Sequence, residues 1–211
     1  MTAPAPLSLE PIRCLDDLLP GDVGFSTIGG RLGRGISIGQ ALLRDECIFT
    51  HAFLVLENGY CVEAMPHGAR ITSITGTSES PPRWGPQFAY GRIPLNRYQR
   101  AQIGPLARFG LRVPNPTGEA GTRFVEALTG RPYGFSDYLA LALWEYHLPG
   151  SALLRARVAS SDRLICSQLV DYAWTLVGYK NFQDGRLCGD VTPGQLFWHV
   201  LRTGLVTVPA A

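Results

Sequence analysis

Apolar and polar positions along the chain divide it into short strand-like runs early and helix-like runs later. The turn Pro20-Gly21-Asp22 is followed by Val23 to Ser26, which reads as a short strand. Residues 51–56 and 60–64 read as the arms of a hairpin around Glu57-Asn58-Gly59, and Phe88 to Leu95 as a returning strand. Between them, a glycine-rich loop from Gly29 to Gly35 leads to a short helix near Ile38 to Arg44, and residues 76–87 are rich enough in Gly, Ser, Pro and Thr for an exposed loop. Helical spacing covers Arg97 to Phe109 and Thr117 to Leu128, separated by the breaker VPNPTG, and then Asp137 to His147, ended by Pro149-Gly150. Leu164 to Val177 carries the strongest helical pattern, with Leu169, Ala173, Leu176 and Val177 at core spacing and Gly178 as its stop. Thr192-Pro193-Gly194-Gln195 has a capping-box pattern with proline at the first helical position and opens a last short helix.

The hairpin decides where two polar side chains point. A two-residue Asn58-Gly59 loop would pair 54 with 63 and place His51 and Glu63 on opposite faces. A three-residue loop, a type I turn ending with Gly59 in the left-handed region, pairs 53 with 63 instead. His51 and Glu63 then share one face, diagonally placed across adjacent strands. Asn58-Gly59 suits either loop, and the three-residue form is the expectation adopted.

His51 and Glu63 become significant beside Cys166 in RLICSQLVDYAW. A thiol, an imidazole and a carboxylate are the parts of a cysteine nucleophile, its base and its orienting group. Cys166 falls in the first turn of its helix, just after Ser160-Ser161-Asp162, where unpaired N–H groups and the positive helix end favour a thiolate. His51 would take the thiol proton and later protonate the leaving group, and Glu63 would hold the second ring nitrogen. The Cys166 backbone N–H is a natural donor to the oxyanion. Taken singly, each residue is weak evidence, because buried cysteines and hydrogen-bonded histidines are commonly structural. Glu63, within the apolar run VEAM, is the hardest to dismiss, since a carboxylate there needs solvent or a buried partner. The scheme requires a sulfur that is not sealed in the interior and lies within contact range of the ring. His67, His147 and His199 are lesser candidates for the base: His67 sits in a turn-like MPHGAR, and the others adjoin helix ends.

Composition narrows the classes. At 211 residues with 45% hydrophobic and 17% charged content, the chain suits one packed domain, with or without an insertion. A net charge of +2 gives no general attraction to nucleic acid. Lys180 is the sole lysine. The stretch GGRLGRG lacks the lysine of a phosphate-binding loop, so Arg31 and Arg34 read as surface residues able to meet an anionic substrate group. Five cysteines, at 14, 47, 61, 166 and 188, form an odd set without paired short spacings, which argues against a disulfide framework and a Cys-x-x-Cys zinc site and for one working thiol in a reduced compartment; no metal or cofactor is expected. The N-terminal stretch does not read as a signal peptide and the most apolar run, near Leu139 to Trp144, is too short to cross a bilayer, so nothing here specifies export or anchoring, and the expected location is cytoplasmic or unknown.

In combination these segments resemble the NlpC-type papain-like cysteine peptidases, specifically their circularly permuted, YiiX-like branch. PGDVGF (20–25), THAFLVLENGYCVEA (50–64), GRPYGFSDY (130–138), RLICSQLVDYAW (163–174) and DVTPGQL (190–196) carry the resemblance in order. The order histidine, glutamate, cysteine is that of the permuted branch. The resemblance implies an α+β fold in which an antiparallel sheet packs against helices and the nucleophile sits at a helix N-terminus. It implies a single catalytic domain over 20–200 with a helical insertion around 134–160, an N-terminal extension over 1–19 and a tail over 201–211. Cys166 takes the nucleophile role, His51 the base, Glu63 the third polar residue, and Tyr133 the tyrosine that helps the oxyanion hole. Gln168 stands where related sequences often place glutamate. The implied activity is hydrolysis of an amide in a peptide or bacterial cell-wall fragment through an acyl-enzyme. Lipid acyl hydrolysis or transfer, as in the lecithin retinol acyltransferase group, is an alternative for which Trp84, Phe135 and Trp144 could line an acyl site. A non-catalytic component of a bacterial or viral assembly is the other.

Overall fold

The computed structural model describes residues 9–65, 68–108, 166–184 and 191–210. Tyr133, the helices expected over 117–128 and 137–147, His67, His147, Phe135, Trp144 and Cys188 lie outside the described residues. Within them the chain is α+β. Six strands, β1 (Val23–Ser26), β2 (His51–Val55), β3 (Tyr60–Met65), β4 (Gly68–Ser73), β5 (Phe88–Arg92) and β6 (Leu205–Thr207), form one sheet in the order β4-β3-β2-β1-β5-β6. Every neighbouring pair is antiparallel. Four helices are described: α1 (Gly30–Leu42), α2 (Arg97–Arg108), α3 (Cys166–Leu176) and α4 (Pro193–Thr203).

The hairpin register follows the three-residue loop. Leu54 pairs with Val62 and Val55 with Cys61, and the Leu56 N–H donates to the Tyr60 carbonyl at 2.8 Å, leaving 57–59 as the loop. The turn conformation differs from the expected type I form, because Asn58 and Gly59 both adopt positive φ, 58° and 71°. Asparagine tolerates the left-handed region and glycine has no Cβ to oppose it, so the pair closes the loop with little strain.

Strand β2 is buried along its whole length, because both faces of the sheet are covered. Ala52 and Leu54 join a core with Val23, Phe25 and the α3 residues Leu169, Val170, Ala173 and Trp174, while Phe53 and Val55 join a second core with Ile12, Ile74 and Tyr90 on the opposite parity. Gly24 makes this second layer possible: a Cβ there would lie 2.1 Å from the Phe53 ring. α3 ends in the manner its Gly178 suggests. With φ at 81°, Gly178 donates to the Thr175 carbonyl while Tyr179 donates to Trp174, a Schellman closure.

Four features depart from the sequence reading. The glycine-rich segment is not a loop but the first half of α1. Gly33 packs so closely on the Ile28 carbonyl that a Cβ would overlap it, and Gly33, Ile36 and Gln40 line the buried face, so packing overrides the low helix propensity of glycine. Arg31 and Arg34 lie exposed on that helix. Strand β4 was not anticipated, and it occupies the sheet edge. The terminal flanks belong to the packed domain: Ile12 is fully buried, and the presumed tail holds the last turn of α4 and strand β6. Finally, the loop before β5 is not wholly exposed, since Arg83 and Trp84 are half-buried.

α4 starts as the capping box requires. The Thr192 hydroxyl accepts from the Gln195 N–H at 3.0 Å, and the Gln195 amide oxygen accepts from the Thr192 N–H at 3.3 Å. The same hydroxyl donates to the Asp45 carboxylate, which ties the helix start to the loop after α1. Gly194 sits so close to the Asp45 carbonyl that a Cβ would come within 2.1 Å of it. Replacing Thr192 with alanine removes the cap and this tie, and urea unfolding is expected to show a loss of about 2 kcal/mol.

Candidate active site

β2 and β3 deliver the first two site residues. His51 opens β2, Glu63 lies on β3, and the three-residue loop puts them diagonally on one face. Their side chains meet: His51 Nε2 and Glu63 Oε2 are 2.8 Å apart, with both residues nearly inaccessible to solvent at 2% and 1% exposure. α3 packs along β2 and β3 and brings Cys166 to the ring. With Nε2 engaged by Glu63, Nδ1 is the nitrogen left for proton exchange with sulfur; it is buried and has no partner of ordinary hydrogen-bond geometry. Cys166 is near enough to the imidazole that its sulfur, as a thiolate, would stabilise a charged ring.

These neighbours fix the ring's protonation. Burial works against an imidazolium at His51, but Cys166 and then Glu63 outweigh it and raise the ring from its ordinary 6.5 to about 9. The direction of the shift favours the doubly protonated ring over the neutral one. Burial also works against charge on Glu63, yet hydrogen bonds from His51 and Arg83 hold its carboxyl well below the usual carboxylate range. The contrast with Cys61, on the same strand pair, is instructive. Burial pushes its thiol up to about 11, so it stays protonated and unreactive.

Glu63 has more partners than the sequence suggested. Arg83 donates from Nη1 to Oε2 at 2.9 Å and from Nη2 to Oε1 at 2.8 Å. Arg70, opposite Glu63 on β4, donates from Nε to Oε1 at 3.0 Å, and the Thr72 hydroxyl donates to the same oxygen at 3.2 Å. Arg83 and Arg70 were missed because their partner lies on another strand, and only β4 and the path of the loop before β5 disclose the encounter.

One requirement is not met as expected. Cys166 is wholly buried, whereas a working thiol must be reachable by substrate, so reaction at Cys166 requires an opening of the state seen here. Tyr133 falls outside the described residues. Ser167 and Gln168, which follow the thiol, are buried, and the Ser167 hydroxyl donates to the Val191 carbonyl at 2.6 Å. His199 is buried on α4 beside the Phe182 ring, and Trp84 stacks on Tyr90 at 5.5 Å, a packing role. Among the described residues no cluster of three or more His, Cys, Asp or Glu side chains could hold a metal ion, and no helix is long and apolar enough to cross a membrane. Compared with known proteins, the chain matches no family model and no curated protein.

Proposed function

We propose that this chain is a cysteine hydrolase that cleaves an amide, in a peptide or a cell-wall-derived fragment, on a permuted papain-like fold of the NlpC type. The observation that carries the reading is the buried His51–Glu63 pair at 2.8 Å on the strands against which α3, opened by Cys166, packs. An imidazolium beside sulfur favours the thiolate, because each charge stabilises the other. The thiolate adds to the amide carbonyl carbon. His51 then gives its proton to the departing nitrogen, the C–N bond breaks, and a thioester remains on Cys166. Neutral His51 takes a proton from water, the hydroxide displaces the sulfur, and the acid product leaves with the imidazolium restored. Glu63 keeps the ring in the orientation and tautomer that both steps need. Tyr133 and the Cys166 N–H are the donors proposed for the oxyanion.

A second reading, a non-catalytic component of a larger assembly, is favoured by the complete burial of Cys166. One experiment separates the two. The full chain, with exposed Cys14 replaced by serine, is treated with limiting iodoacetamide near neutral pH, and the modified cysteine is mapped by mass spectrometry. Labelling concentrated at Cys166, together with turnover of muropeptides that disappears in Cys166→Ala, is the expected result. Acyl esters in parallel identify the substrate class. A Cys166 that stays unlabelled while the protein is folded sinks the hydrolase reading.

A further inference from the structure

We infer that Arg83 is a positioning residue of this site, holding Glu63 in the orientation that fixes the His51 ring; the inference rests on the hydrolase reading above. The Glu63 oxygen that meets His51, Oε2, also accepts from Arg83 Nη1, while Arg83 Nη2 donates to the other oxygen and, at 3.1 Å, to the Thr72 hydroxyl. Two parallel N–H donors on one carboxylate fix its plane as well as its charge, which a single contact cannot do. Rotation of Glu63 away from His51 would break both donations at once.

Arg83 is itself held along its length. Its backbone N–H donates to the Ile74 carbonyl at 2.8 Å, and its carbonyl accepts from the Tyr90 hydroxyl. Tyr90 is fully buried and stacked by Trp84. The guanidinium carbon lies 5.1 Å from the centroid of the Phe53 ring, whose own neighbour is the His51 ring at 6.4 Å. Arg70 makes the contrast. Its side chain is 53% exposed, against 20% for Arg83, and it reaches only Oε1. A solvated arginine at a strand edge screens charge; an arginine pinned at its backbone and stacked on an aromatic face sets geometry.

Alkylation of Cys166 by iodoacetamide, followed against pH in the full chain with Cys14→Ser, tests this without a known substrate. Arg83→Gln is expected to lower the rate at pH 7 by about tenfold, the cost of a misplaced base, and to move the midpoint of the pH profile. Arg83→Lys is expected to keep the midpoint but not the rate, because a point charge cannot hold both carboxylate oxygens. A parent-like rate and midpoint in Arg83→Gln, or a rate fully restored by Arg83→Lys, overturns the positioning role. If Arg83→Gln does not fold, Tyr90→Phe decides: it removes only the hydroxyl that holds the Arg83 carbonyl, and an unchanged rate there overturns the inference. A Cys166 that labels in no variant, the parent included, defeats the hydrolase reading as well, whereas a reactive Cys166 indifferent to Arg83 defeats this inference alone.

Discussion

His51→Ala slows alkylation of Cys166 at pH 7 by about thirtyfold or more, since an unassisted thiol of pKa near 8.5 is only about 3% thiolate there. On the hydrolase reading, turnover is expected to fall further, by about 10²–10⁴-fold, because the variant would lose the proton donor to the leaving group as well. The fold is expected to survive, as Glu63 keeps Arg83, Arg70 and Thr72 as partners. Rates measured by mass spectrometry, with circular dichroism as the check on folding, decide the matter; a His51→Ala protein labelled as fast as its parent leaves the thiol without a base. The pH dependence has a defined sign. A ring raised from 6.5 to about 9 contributes stability that is complete below 6.5 and is lost as pH rises through about 9. On the hydrolase reading the same imidazolium would protonate the leaving group, so the alkaline limb of turnover is expected near pH 9 rather than near 6.5.

The second large effect lies away from the site. Asp22, fully buried at the start of β1, receives Arg92 through Nε at 3.2 Å and Nη2 at 2.6 Å and Arg100 through Nη1 at 2.9 Å, besides the Leu19 N–H at 2.9 Å. Arg92 also donates to the Glu10 and Asp17 carbonyls, and Arg100 to those of Pro20 and Ile93. This cluster fastens the N-terminal flank, the Pro20-Gly21-Asp22 turn, β5 and α2 to one another. Asp22→Ala leaves buried Arg92 and half-buried Arg100 around a missing anion, so the expected loss is about 3–5 kcal/mol. For a chain of this length that lowers the melting temperature by roughly 10–15 °C in a thermal scan. A change under about 1 kcal/mol, the size of an exposed ion pair, would mean that the network is solvated and contributes little.

What the sequence disclosed follows the range of the interactions involved. The hairpin register was legible because Asn58-Gly59 limits the loop to two forms and the need for His51 and Glu63 to share a face selects between them. α4 was legible because its cap lies within four consecutive residues, Thr192 to Gln195. Helix α1 was hidden, since its Gly29 to Gly35 stretch argues for a loop until the Ile28 carbonyl is seen against Gly33. β4 was hidden by its position at the sheet edge, where Arg70 and Ile71 are exposed and no alternation of buried residues is imposed. Arg83 could not be found from PPRWGP, because its partner Glu63 lies twenty positions earlier and is brought near only by the folded loop. The packed flanks are hidden for the same reason: Ile12 and β6 acquire their meaning from distant partners between Phe53 and Arg92.

The hairpin has a last consequence, for a polypeptide still leaving the ribosome. Base and carboxylate are twelve positions apart and closed by a tight loop, so they can meet soon after synthesis. The sulfur follows 115 positions after the histidine (166 − 51 = 115), and helix α3 has to dock across that interval. On the hydrolase reading, a nascent chain that stops short of α3 would hold the His51–Glu63 pair without its sulfur, so activity would await completed folding.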